Sequence, residues 1–149
     1  MSDTDSNRGE LTITRIYQTT PQQMFECMTT PEHLTHFWGP KGASTPLANI
    51  TVEPRPGGRF ETIMVDDATG AEYPMRGVFV DFDPPHTLSW TEADVEGGMM
   101  TSITFHDLGD GRTEAVTHQT NVPEMFMSPE ARAGLESSFV KMDDYLATL

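Results

Sequence analysis

Few residues of this chain combine the types and spacing that chemistry needs. His33 and His36 stand three apart, a spacing that could put two metal ligands on one helical face. No glutamate follows His33 in an H-E-x-x-H pattern and no cysteine lies beside the pair, so two exposed helix histidines are the better reading. Cys27, the single cysteine, sits in an apolar stretch and reads as a small core residue rather than a nucleophile. His118, on a strand beside Val116, could aim a ring nitrogen inward and orient or move a proton; a hydrogen-bonded core histidine is the plainer role. Glu92 is a second candidate for proton transfer. Glu53, Arg55, Arg59 and Glu61 could pair at a cavity mouth, but alternating charges on strands usually mark the solvent face. Asp66 and Asp67 before Thr69-Gly70 lack calcium-loop periodicity and read as a hairpin turn. No nucleophile elbow, phosphate loop or Ser-His-Asp order is present. No metal and no cofactor are expected.

The large apolar residues are more informative. Trp38, Phe60, Met64, Met75 and Trp90 come from the first two thirds of the chain, and Met100, Phe126, Phe139 and Met142 from the last third. They are spread over every element that would face an interior. Ten methionines in 149 residues supply an adaptable lining. Small-molecule pockets are mostly apolar, about 300–1,000 Å³, with a few polar groups. Thr62, Tyr73, His118 and Ser138 are the candidates for those groups. The plain alternative is an ordinary core, since burying one large side chain already contributes about 1.5–3 kcal/mol.

These side chains need a scaffold, and the pattern of the chain supplies one. Leu11 to Gln18 is β-branched and aromatic and reads as a strand. Thr20-Pro21 and Thr30-Pro31 each combine an N-cap residue with proline at the first helical position, so two short helices follow. From Leu47 to Thr120 the period is two, with breaks at Pro56-Gly57-Gly58, Asp66–Gly70, Asp83-Pro84-Pro85, Glu96-Gly97-Gly98 and Gly109-Asp110-Gly111. Connections this short exclude parallel crossovers and predict an antiparallel meander. Met99, Thr101, Ile103 and Phe105 share one face of a strand, as do Glu114, Val116, His118 and Thr120 of the next. Ser128-Pro129 opens a last helix with an apolar stripe at Leu135, Phe139, Met142, Leu146 and Leu149. The expected fold is α+β: a curved sheet of six to seven strands wrapped around the long C-terminal helix, with two short helices after the first strand. Such a sheet and so few helices should leave a cavity between them.

Charge narrows the partners. The formal charge is −14, from 23 acidic and nine basic residues, and such a chain repels phosphate backbones; no nucleic-acid partner is expected. No apolar run approaches the roughly 18 residues that span a bilayer, so no integral membrane association is expected. The opening MSDTDSNRGE has neither a basic n-region nor an apolar h-region. Residues 1–10 are expected to be a disordered acidic tail and 11–149 a single domain. With one cysteine and no secretory leader, a cytoplasmic location is the expectation.

Several segments together resemble a known family. They are Arg15 in the first strand, Pro21 with Phe25, Thr30-Pro31-Glu32-His33-Leu34, Trp38-Gly39-Pro40, Arg55-Pro56-Gly57-Gly58-Arg59-Phe60, Pro84-Pro85-His86-Thr87-Leu88 and the TFHDLGDGRTEAVTHQ hairpin. In this order they resemble the family of the activator of heat-shock protein 90 ATPase, within the START-like or SRPBCC superfamily of helix-grip folds. The resemblance implies a cavity for a small hydrophobic or amphipathic molecule. It also implies a chaperone as an alternative partner, and a cyclase- or hydratase-like enzyme as a third possibility. One departure stands out. The last helix of the family usually opens with Glu-Gly-Trp, where this chain has Glu136-Ser137-Ser138-Phe139. A serine in place of the large aromatic alters the size and shape of the implied cavity.

Overall fold

The fold is drawn from a computed structural model, in which residues 8–92 and 98–149 are described. The chain runs β1 (Arg8–Tyr17), α1 (Pro21–Thr29), α2 (Pro31–Phe37), β2 (Ala43–Ser44), β3 (Ile50–Val52), β4 (Arg59–Asp66), β5 (Glu72–Asp83), β6 (Thr87–Glu92), β7 (Met99–Asp107), β8 (Thr113–Pro123) and α3 (Pro129–Leu146). Short 3-10 turns occupy Leu47–Asn49 and Glu124–Met127.

The local signals act as read. The Thr20 hydroxyl accepts from the Gln23 N–H at 3.3 Å and Pro21 opens α1. The Ser128 hydroxyl accepts from the Ala131 N–H at 3.1 Å and Pro129 opens α3. Proline costs nothing at these positions, because the first helical N–H groups have no intrahelical partner.

All strand pairs are antiparallel, in the order β1-β8-β7-β6-β5-β4-β2, with β3 also on β4. The sheet has eight strands rather than six or seven, because β2 and β3 are two- and three-residue strands at one edge. Segments that short carry no readable alternation. β1 begins at Arg8, and Gly9 pairs with Val122, so residues 8–10 are strand where a tail was expected. The rest of that expected tail, and most of the Glu96-Gly97-Gly98 turn, lies outside the described residues.

The core is aromatic at one end. Phe25 of α1 packs edge-on against Phe82 and Phe105, at 5.1 and 5.9 Å between ring centres. Phe60 and Phe79 stack at 5.2 Å. From α3, only Met142 and Leu146 are buried, so the C-terminal half of the helix joins this core. The first half of α3 buries no residue of its own. Leu149, expected on the apolar stripe, lies past the end of the helix and is exposed. α2 is held to α3 through Tyr145, whose hydroxyl lies 2.5 Å from His33 Nδ1 and whose ring stacks on His36 at 4.7 Å. Cys27 is fully buried, and burial pushes its thiol up to about 11. Both facts suit a packing role.

Candidate functional site

Between the first half of α3 and the concave face of the sheet lies a cavity of about 760 Å³. Each wall follows from strand alternation. Thr62 and Met64 project from β4, Met75 from β5, Trp90 and Glu92 from β6, and Thr101 and Ile103 from β7. Register places Thr101 opposite both Trp90 and Gln119, so these three side chains share the concave face. α3 closes the cavity with Leu135, Ser138, Phe139 and Met142. The exposed members of the lining, Glu72, Tyr73 and Pro74 on β5 with Phe126 and Glu130 near the start of α3, mark the mouth.

Trp38, the residue that ends α2, is the keystone of one wall. Its indole N–H donates to the Thr62 hydroxyl at 3.1 Å, and its ring lies 5.2 Å from Phe60 and 6.2 Å from Trp90. Trp90 fits because residue 77 on β5 is glycine. A Cβ there would meet the Phe60 carbonyl oxygen at 3.0 Å and Trp90 Cδ1 at 3.3 Å. Gly39 is equally constrained: its φ is +95°, and a Cβ would come within 2.7 Å of Met64 Sδ.

Of the expected site residues, Trp38, Met64, Met75, Trp90, Phe126, Ser138, Phe139 and Met142 come together on this cavity. Three do not. Phe60 is fully buried behind the wall and packs on Phe79 and Trp90 instead. Met100 follows Met99 on β7, and the face that Met99, Thr101 and Ile103 turn inward leaves Met100 on the other side. His118 is off by the same single step. The inward residues of β8 are Ala115, Thr117 and Gln119, while His118 sits on the outer face 3.4 Å from Glu10. β8 reads AVTHQT across this region, polar on both faces, so its alternation carries no contrast from which the face could be chosen. Tyr17, Met24 and Met28 also reach the lining and were not singled out. The i, i+4 spacing of the two methionines on α1 was the available signal.

The polar chemistry of the lining is sparse. Glu92 is the notable group: burial raises its carboxyl above the ordinary carboxylate range, and the neighbouring Trp90 N–H partly opposes the rise. That N–H does not reach hydrogen-bonding geometry, and Trp90, 3% exposed, is left with an unpartnered indole nitrogen. Gln119 donates to the Thr101 hydroxyl at 3.2 Å, and the Ser138 hydroxyl donates to the Leu135 carbonyl at 2.6 Å. Arg15 on the concave face of β1 is ion-paired with Asp143 of α3 and lies 5.9 Å from the Phe139 ring. Among the described residues no cluster of three or more His, Cys, Asp or Glu could hold a metal ion.

The family profile described as Activator of Hsp90 ATPase homolog 1-like protein matches residues 18–147. The chain belongs to that family. Its solved neighbours agree in fold. A protein from Chromobacterium violaceum superposes with a TM-score of 0.83 at 18% identity, covering 91% of this chain and 96% of that one. The family protein of Silicibacter pomeroyi gives 0.78 at 20% identity, covering 94% and 99%. A Plasmodium falciparum protein described as an HSP90 activator gives 0.58 at 19% identity, covering 76% and 74%. No curated protein matches the chain. Identities this low carry the helix-grip fold of the family and not its chemistry. No helix among the described residues is long and apolar enough to cross a membrane.

Proposed function

We propose that this family member binds a small hydrophobic or amphipathic molecule between the sheet and α3. The observation that carries the reading is the cavity itself: about 760 Å³, walled by Trp38, Met64, Trp90, Phe139 and Met142. That volume falls inside the range of about 300–1,000 Å³ typical of ligand sites, and the lining has their apolar character. Leaving such a space empty forgoes dispersion contacts, a cost that a guest would recover. Ser138 stands where the family usually has a large aromatic, and it lines the open volume. The test is a panel of aliphatic and aromatic amphiphiles read by melting temperature and by tryptophan emission. A binder at 100 times its Kd raises stability by about 2.7 kcal/mol. No shift across the panel would reject the proposal.

A second reading is docking on a chaperone. It is supported by the family match and by the fold shared with the Plasmodium falciparum HSP90 activator. The acidic charge of −14 suits a basic patch on such a partner. Stimulation of the purified chaperone's ATPase decides it, and a flat rate would exclude it. A proton-transferring enzyme that pairs His118 with Glu92 is not sustained, because the two side chains lie on opposite faces of the sheet.

A further inference from the structure

The polar groups of the cavity point to the kind of guest it takes; this inference rests on the binding reading above. Glu72, Glu92 and Glu130 line the cavity, and no lysine, arginine or histidine does so among the described residues. Two cations beside the lining are held outside it. Arg15 is ion-paired with Asp143, though its Nε stays buried and unpartnered, and Lys141 Nζ donates to the Ala43 and Pro40 carbonyls at 3.2 and 3.4 Å. The start of α3 at the mouth would otherwise attract an anion, but Glu130 occupies its first turn and Ser128 caps it. Deeper in, Glu92 stands two residues beyond Trp90 on the same face of the wall, while the unpartnered Trp90 indole nitrogen is itself buried within that wall.

We infer that the cavity takes an amphiphile whose polar group is an uncharged hydroxyl and excludes carboxylate-headed ones, with Glu92 as the specificity-determining residue. A hydroxyl can donate to the Glu92 carboxylate without bringing a second charge into the wall. A carboxylate head only accepts, and it would meet Glu92 as a like charge in a low-dielectric wall. Pockets built to hydrogen-bond one polar group reject analogues that cannot reciprocate.

The experiment compares 1-decanol with decanoate, both below micellar concentration, by displacement of a fluorescent probe from the full chain. Wild type should bind decanol at least about tenfold more tightly, equal to about 1.4 kcal/mol. The decisive arm is Glu92→Gln, which keeps the shape and removes the charge. It should narrow the ratio at least about threefold by gaining affinity for decanoate. Decanoate binding as well as decanol in wild type, or an unchanged ratio in Glu92→Gln, overturns the inference and leaves cavity binding standing. Binding of neither compound removes the cavity reading as well. If Glu92→Gln does not fold, Glu92→Met serves as the uncharged variant of similar length in the apolar wall, and an unchanged decanol-to-decanoate ratio there overturns the inference.

Discussion

Trp38 at the end of α2 donates its indole N–H to the Thr62 hydroxyl on β4, 3.1 Å away. This bond ties the helical arm to the sheet across a wall of the cavity, and Thr62 itself is 1% exposed. Thr62→Val keeps the shape and removes the acceptor, leaving an indole N–H without its partner. The expected cost is about 1–3 kcal/mol. For a domain of this size, that lowers the melting temperature by about 2–4 °C per kcal/mol. A calorimetric scan checks it, and the tryptophan emission should move with it.

Gly77 makes room for the Trp90 indole, since a Cβ would press on the Phe60 carbonyl and on Trp90 Cδ1. Gly77→Ala therefore overpacks the wall and should destabilise the protein by about 1–3 kcal/mol. Denaturant unfolding measures the loss. An unchanged midpoint would show that Trp90 moves freely and that the wall is soft.

Gly134 offers the opposite case. It lies on the cavity side of α3, and a Cβ there meets only Pro40 at 3.7 Å, an ordinary contact. Gly134→Leu should raise stability by about 0.5–1 kcal/mol, because glycine is a poor helix former. The same side chain occupies part of the cavity and should weaken amphiphile binding at least about tenfold. Thermal melts and probe displacement on one sample read both. Stabilisation with unaltered binding would separate the ligand from this cavity.

Glu92 gives stability a pH dependence of known sign. Its ordinary value is 4.5, and burial raises the folded value above that. Below about pH 4 the carboxyl is protonated in folded and unfolded chains alike, and no penalty applies. As pH climbs through the raised folded value, the folded chain must ionise a half-buried group and loses stability. Glu92→Gln should melt with wild type near about pH 4 and above it near about pH 8. Parallel melting curves across that interval would contradict the burial of this group.

Much of the scaffold is legible in the amino-acid sequence. Thr20-Pro21 and Ser128-Pro129 open helices because the cap and the proline act within one turn, on atoms a few residues apart; at Thr30-Pro31 the proline alone suffices, since the Thr30 hydroxyl makes no capping bond. The meander followed from turn residues with the same local reach. Two edge strands were missed because two or three residues cannot display an alternation. The histidine pair shows the middle ground. Its spacing placed both rings on one short helix, but the partner of both, Tyr145, lies more than a hundred residues away.

The amino-acid sequence by itself determined the order of the elements, the concave sheet and the apolar character of its interior. These depend on local propensity and on periods that repeat along the chain. Only the tertiary structure decided which side of β7 and β8 faces that interior, turning Gln119 inward and Met100 and His118 away. A period of two makes both faces of a strand equivalent until a neighbour is docked. The same docking decided where packing stops: Phe25, Phe82 and Phe105 fill one end, and the first half of α3 spans the other without filling it. A cavity is the volume left by elements distant in sequence, so no single stretch of residues encodes it.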